Sequence, residues 1–317
     1  MKKKRDIVSG VGCYYHLTNR LSGPRGSCPL DDRDRDRGMR LFQRLSEYYL
    51  LEIISACWME DHFHIVLYAP SEAELPPPSE IASRHNEFYP VAPLRRISFR
   101  DKASCRRIGL EMIDISCFMK DYQQRYARYY NRAHGCGGHV WGGRFKSVII
   151  GLRDALWAVV KYVELNPVRS GAVSDPADYG YCAWGWKGDS GKHPFESWFV
   201  KHMCSALGDD GVSLDAEGLF AVFRGDLERT IADESVGAFD ESSEGVSTGG
   251  SGESMPLRFL RPTRHWSDGG IIGSKEFVRE TAASFYGREK AYGKRLSRGT
   301  TASGVSIYCL KRLSLSD

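Results

Sequence analysis

The sequence predicts an α+β sandwich, with helices packed on one face of an antiparallel sheet. Three observations lead there. Short runs rich in β-formers alternate with amphipathic stretches at helical spacing. Two of those runs are parted only by a short polar break, which reads as a hairpin. The order strand, helix, hairpin, helix, strand, helix then places the helices over the sheet.

The elements follow in turn. Gly12 to Thr18 reads as a first strand, rich in β-formers. A run of charges from Asp31 to Arg37, mostly alternating in sign and closed by Gly38, leads into Met39 to Leu45, whose apolar spacing is helical. Ile53 to Met59 returns to strand character, Glu60-Asp61 breaks it, and His62 to Tyr68 resumes it. Pro70 to Pro90, with three consecutive prolines at Pro76-Pro77-Pro78, reads as an insertion loop. Ile113 to Asn131 repeats apolar or aromatic residues on one helical face and ends at Gly135, Gly137 and Gly138. His139 to Ile150 reads as a strand, and Asp154 to Asn166 as a helix stopped by Pro167. A polar acidic Gly/Ser stretch from Gly237 to Ser254 has too little apolar surface to fold and reads as a linker. Beyond it, Ser274 is a good N-cap for a helix in a small basic C-terminal piece.

Composition bounds the function classes. The chain has 317 residues, 42% hydrophobic and 26% charged. That is enough to bury a core, and it excludes a wholly disordered chain, a collagen-like one or a small disulfide scaffold. No run of 18 apolar residues occurs, so no membrane-spanning helix is expected. The basic start, Met1 to Asp6, is not followed by an apolar stretch and does not read as a secretory signal. Nine cysteines, an odd number with no Cys-x-x-Cys, fit reduced thiols in a cytoplasmic protein rather than disulfides or a structural zinc site. The net charge of +4 conceals clustering. Arg95 to Lys146 holds twelve basic against four acidic residues, Asp209 to Glu253 two against twelve, and Lys275 to Arg312 nine against three. Basic blocks of this kind are a footprint for phosphates, although solvated helix faces give the same counts.

Two residue pairs carry potential chemistry. His62 and His64 lie two apart on a predicted strand, so both imidazoles share a face while Phe63 and Ile65 take the other. Two neutral imidazoles side by side make a half-site for a divalent metal; taken alone, His-x-His is as readily structural. Tyr162 and Asn166 lie four apart on a predicted helix and share a face. A tyrosine can act as a covalent nucleophile, and an amide oxygen one turn away can ligate a hard cation. Such a pair is more often packing, and among sixteen tyrosines Tyr126, Tyr129 and Tyr130 are rivals. Arg144 and Lys146 in Gly143-Arg144-Phe145-Lys146-Ser147 are candidate phosphate contacts, as are Arg125 and Arg128 on the preceding helix. Trp141 is a candidate platform for stacking on bases.

Three segments in order carry a resemblance: Trp58 to Leu67 (WMEDHFHIVL), Gly143 to Ser147 (GRFKS) and Tyr162 to Gly171 (YVELNPVRSG). Together they resemble the HUH single-tyrosine transposases of the insertion-sequence-200 type, and most nearly the branch called REP-associated tyrosine transposases. Tyr15 to Arg20 (YHLTNR), Asp32 to Arg37 and Asp175 to Tyr179 support it. The resemblance covers roughly residues 8–186. Gly269 to Phe277 is similar to a C-terminal extension of longer members. Two departures stand out. Glu60-Asp61 occupies the turn where the family usually carries Pro-Asn or a similar pair, and the stretch from Pro70 to Ser116 is longer than in compact members.

The resemblance implies a ferredoxin-like palm, with a mainly helical extension at the C-terminus. It implies a transposase-type transesterification on single-stranded DNA near hairpins. Tyr162 would attack a phosphodiester and leave a 5′-phosphotyrosine, with Mg2+ or Mn2+ held by His62, His64 and Asn166. No nucleotide cofactor is implied, and no phosphate-loop motif is present. Two alternatives stay open: a domesticated, non-catalytic binder of single-stranded nucleic acid, and a metal-dependent phosphodiesterase using water. The expected organisation is a catalytic domain over 1–186 with an insertion at 70–112, a helical region over 187–236, an acidic linker over 237–256, and a basic module over 257–317. A monomer is expected, with a dimer as the alternative, acting on DNA in the cytoplasm and not at a membrane.

Overall fold

A computed structural model describes residues 7–8, 10–23, 30–90, 96–208, 214–240, 269–300 and 305–311. The basic N-terminus and most of the expected linker lie outside these residues. The elements in chain order are β1 (Cys13–Arg20), α1 (Asp32–Ser46), β2 (Glu52–Trp58), β3 (His62–Ala69), α2 (Pro78–Phe88), α3 (Lys102–Met112), α4 (Ile115–Ala133), β4 (Lys146–Ile150), α5 (Asp154–Glu164), α6 (Asn166–Arg169), α7 (Ala183–Ser190), α8 (Glu196–Leu207), α9 (Ala216–Asp240), β5 (Gly269–Gly273), α10 (Lys275–Tyr286), α11 (Arg288–Gly293), β6 (Ser297–Thr300) and β7 (Ser306–Lys311). The strands form one seven-stranded sheet in the order β2-β3-β1-β4-β5-β7-β6. Every neighbouring pair is antiparallel except β4 and β5, which are parallel.

The α+β class is the one the sequence predicts, but the sheet is covered on both faces rather than one. Strand alternation explains how. Odd positions of β1 and β3 (Tyr15, Leu17, Phe63, Ile65, Leu67) join Phe42 of α1 and Phe118, Tyr122 and Tyr126 of α4 in one core. Val66 of β3 and Val148 and Ile150 of β4 join Leu156, Val159 and Val163 of α5, Phe199 of α8 and Phe223 of α9 in a second core on the opposite face. The second helical layer comes largely from residues beyond 150, where hydrophobic spacing alone does not say which face of a sheet a helix will cover.

Local chemistry sets the boundaries. Asp31 caps α1 with its Oδ1, which accepts from Asp34 N at 2.8 Å, while the Asp34 carboxylate accepts in return from Asp31 N at 3.3 Å. The helix therefore begins at Asp32, inside the charged run. Gly38 lies mid-helix because Trp58 packs on it: a Cβ there would meet the indole at 2.3 Å. The segment expected as a loop after Pro70 instead contains α2. Its prolines precede the helix, with Pro78 in the first turn, where a missing N–H costs nothing. The strand expected from His139 is confined to Lys146–Ile150, because the chain bends through Gly142 and Gly143. The helix expected to run to Asn166 ends at Glu164, and α6 restarts at Asn166 with Pro167 in its first turn.

One buried contact fixes α5 against the sheet. Glu164 has no exposed surface, and its carboxylate accepts from Ser55 Oγ at 2.7 Å and from Trp184 N at 3.0 Å. Burial pushes the Glu164 carboxyl up to about 7 from an ordinary 4.5. Between those values the folded chain keeps a proton that the unfolded chain has released. This contribution to stability is complete below pH 4.5 and is lost as pH rises through 7. The stability of Glu164→Gln, measured by urea unfolding across pH 5 to 8, should lack that decline, which amounts to on the order of 3 kcal/mol in the parent.

The C-terminal region is not separate, and it joins two helices, α10 and α11, to three strands. Its three strands continue the sheet: Ile149 and Ile150 pair with Ile271 and Ile272 of β5. Ile271 enters the first core with Val278 and Ala282 of α10, and Ile272, Ile307 and Cys309 enter the second. Short runs supply these strands, Ile271 and Ile272 in Gly269 to Gly273 and Ile307 to Leu310 in Ser306 to Lys311, with Ser297 to Thr300 at the edge. Ile271→Ala should therefore lower the stability of the whole chain by roughly 2–5 kcal/mol in a single denaturation transition. A melting point equal to that of the parent would mean that the segment stands apart from the sheet.

Candidate active site

The site is built on β1 and β3. Their register sets Thr18 opposite His64 and Arg20 opposite His62. On the flanking strands, Lys146 of β4 faces Thr18, and Cys57 of β2 faces His64. Directly paired residues project to the same side. Lys146, Thr18, His64 and Cys57 thus form one row across four strands, with Arg20 and His62 beside it. This is the face covered by α5.

The two predicted histidines and the predicted tyrosine come together here. The rings of His62 and His64 lie 5.0 Å apart, nearly perpendicular, and the Tyr162 ring stands edge-on to His64 at 5.7 Å. Tyr162 is 8% exposed and His64 3% exposed, whereas His62 is only partly covered. Tyr126, Tyr129 and Tyr130, the rival tyrosines, stand on α4 across the sheet, and the Tyr126 hydroxyl donates to the Asp34 carbonyl at 3.3 Å. Asn166 donates through Nδ2 to the Tyr162 carbonyl at 2.9 Å, which leaves Oδ1 as its remaining acceptor. The spacing of four therefore survives the helix break at Leu165 and keeps Asn166 one turn from the tyrosine.

Hydrogen bonds prepare both imidazoles. Asp61 accepts from His62 Nδ1 at 2.6 Å and also faces Arg20 Nε at 3.6 Å. A carboxylate only accepts, so the His62 proton sits on Nδ1, and in the neutral ring Nε2 carries the lone pair. His64 Nδ1 meets His16 Nε2 at 2.9 Å. His64 Nε2 is buried and has no hydrogen-bond partner. Burial pushes the His64 imidazole well below the ordinary histidine range, and charge on His62, His16 or Arg20 acts in the same direction. A neutral imidazole with an orphaned buried nitrogen next to a carboxylate-oriented imidazole fits a divalent cation. Among the described residues, no three His, Cys, Asp or Glu side chains form a complete ligand set. Asn166 Oδ1 and phosphate oxygens are the donors that would complete one.

The candidate DNA contacts divide between the two faces. Lys146 is exposed at the end of the histidine row, and Arg144 is exposed in the adjoining loop. That loop is tied to β1 by Asn19 Nδ2 donating to the Gly143 carbonyl at 3.1 Å and by Gly142 N donating to the Arg20 carbonyl at 3.0 Å. Arg125, Arg128 and Trp141 are not brought to this face. Arg125 pairs with Asp121 at 2.6 Å, and Arg128 is exposed on α4. The Trp141 indole is half-buried against Phe63 and Tyr126 and donates to the Gln123 carbonyl at 3.0 Å. It completes an aromatic core and does not offer an open stacking platform.

Sequence reasoning missed four neighbours of the pair: His16, Thr18, Asp61 and Arg169. The Arg169 guanidinium lies 5.4 Å from the Tyr162 ring centroid. For His16 and Thr18 the signal was available, because period-2 alternation along β1 puts them on the face of their partners Val66 and His64.

No family model and no curated protein matches the chain. Among solved structures, a REP-associated tyrosine transposase bound to a REP hairpin aligns with 62% of this chain and 90% of its own, at 16% identity and a TM-score of 0.38.

Proposed function

We propose that this protein is a metal-dependent DNA strand transferase that cleaves and rejoins single-stranded DNA near hairpins through a covalent tyrosine link. One observation carries the reading: the His62 and His64 imidazoles and the Tyr162 ring converge on one face of the sheet, and His64 Nε2 is buried without a partner. The choice of a hairpin substrate rests on the ordered motifs at Trp58 to Leu67, Gly143 to Ser147 and Tyr162 to Gly171.

In the proposed step the Tyr162 oxygen forms a bond to phosphorus, and the bond from phosphorus to the 3′-oxygen breaks. The phenolic proton ends on the departing 3′-hydroxyl, so the exchange is balanced and needs no co-reactant. Attack by a 3′-hydroxyl on the tyrosine link reverses the step and rejoins a strand. A divalent cation held by His62 Nε2, His64 Nε2 and Asn166 Oδ1 would polarise the phosphate and offset its charge. The rest falls to the chain's own residues. Asp61 holds the His62 ring in orientation. The Asn166 amide grips the carbonyl of the nucleophile's own residue. Arg169, over the Tyr162 ring, favours the build-up of negative charge on the phenol oxygen. Lys146 and Arg144 flank the row where the phosphate backbone would run.

The experiment is covalent trapping on a single-stranded oligonucleotide carrying a hairpin. The parent with Mg2+ or Mn2+ should yield an adduct that survives denaturation. Tyr162→Phe should yield none while binding the hairpin with affinity within a few-fold of the parent, because the ring and its packing persist. Adduct formation by Tyr162→Phe, lost instead in Tyr126→Phe or Tyr129→Phe, would reassign the nucleophile. Cleavage without any adduct would convert the reading to hydrolysis by water. His62→Ala and His64→Ala should each lower adduct formation at least about 100-fold, and Asn166→Ala less, since two imidazoles would remain. Undiminished activity of the double histidine variant in excess chelator would remove the metal from the mechanism.

A further inference from the structure

The polar groups of the histidine face include one that the proposed chemistry does not use. His16 lies at the centre of β1, with no exposed surface, between Val66 of β3 and Val148 of β4. Its ring lies edge to edge with His64 and nearly coplanar with it, with centroids 5.1 Å apart and planes 17° apart, and its Nε2 meets His64 Nδ1 at 2.9 Å. It also stands edge-on to Tyr162 at 6.0 Å. It thus lies against two members of the candidate site, His64 and Tyr162, buried on the same face of the sheet.

The shared proton between the two rings has two places. If His16 donates, His64 Nδ1 accepts and the neutral His64 ring carries its own proton on Nε2. That N–H would turn a proton toward the place where the cation is expected. Without a cation either tautomer leaves His64 Nε2 unpaired, as a donor or as an acceptor, at a cost of about 1–3 kcal/mol, and only the lone pair is satisfied when a cation binds. If His64 donates, its proton sits on Nδ1 and its Nε2 presents a lone pair. His16 must then be neutral, with its own proton on Nδ1.

We propose that His16 is a positioning residue that holds His64 in the tautomer protonated on Nδ1, and so keeps the Nε2 lone pair of His64 directed at a divalent cation. The inference rests on the metal reading given above. It assigns His16 the part that Asp61 plays for His62, with a ring acceptor in place of a carboxylate. In metal sites such orienting partners typically change affinity 10–100-fold.

The test uses the full chain labelled with 15N at histidine, freed of metal with chelator, and Mn2+ as probe. Long-range 1H–15N correlation spectra report which nitrogen of each ring bears the proton, and comparison with His64→Gln identifies the His64 signals. The parent should show His64 protonated on Nδ1. His16→Phe keeps a flat ring in the same place but cannot accept, so its His64 should move toward the Nε2-protonated form, and its Mn2+ dissociation constant should rise roughly 10–100-fold. His16→Gln returns an acceptor oxygen near the lost nitrogen and should restore the tautomer and most of the affinity, which a purely space-filling role would not predict. Finding His64 of the metal-free parent protonated on Nε2 would overturn the proposal even if His16→Phe failed to fold. So would equal Mn2+ affinity in the parent and His16→Phe. Failure of the parent itself to bind Mn2+ would overturn the metal reading and this inference with it, whereas the equal-affinity result would remove the inference alone.

Discussion

The alternation of β1 against β3 is the constraint on which both the core and the site depend. In this register Leu17, Phe63 and Ile65 face α1 and α4, while His16, Thr18, His62 and His64 face α5. A slip of one residue would drive imidazoles and a hydroxyl into the aromatic core and turn Phe63 toward the solvent end of the site. The register is therefore held by hydrophobic burial on one side and by polar pairing on the other. The His16–His64 bond is part of that second term, since it satisfies nitrogens that the sheet would otherwise bury unpaired.

Against that fixed sheet, α5 has to present Tyr162 at a defined height. Its apolar stripe of Leu156, Val159 and Val163 sets which side faces down. Glu164, held by Ser55 from β2 and by Trp184 N from α7, pins its last turn from two directions. The carboxyl lies two residues from the tyrosine, so any tilt of the helix that moved the phenol would strain those two hydrogen bonds. The break at Leu165 then lets Asn166 and Arg169 close over the tyrosine carbonyl, which a straight helix would point along its axis. Tyr162 is thus positioned from below by a buried acid and from its C-terminal side by a short second helix.

Much of this was legible in the residues. The α+β class, the hairpin at Glu60-Asp61 and the pairing of His62 with His64 follow from period-2 and helical spacing, and the structure has them. Tyr162 was singled out from sixteen tyrosines by its motif, since nothing in its chemistry separates it from Tyr126; the structure separates them by placing the two on opposite faces of the sheet. Other features were hidden for identifiable reasons. The prolines before α2 masked a helix that begins directly after them. Arg125 and Arg128 sit in a basic stretch, but α4 carries them on the far side of the sheet, and Trp141, beyond the end of that helix, packs against Phe63 and Tyr126 there; a charge count carries no direction. The joining of β5 to β4 is long-range, and no local signal in Gly269 to Gly273 names its partner.

That last pairing links Ile149 to Ile271, 122 residues later in the chain. A polypeptide emerges from the ribosome N-terminus first, and its parts fold as they appear. By about residue 170 the nascent chain holds every element of the histidine face and the tyrosine helix, yet the free side of β4 has nothing to pair with. An exposed strand edge of that kind, bearing Val148, Ile149 and Ile150, recruits other strands. The site is thus assembled early on a sheet that is finished late, and the interval between the two is when this protein is most exposed to pairing with a neighbouring copy of itself.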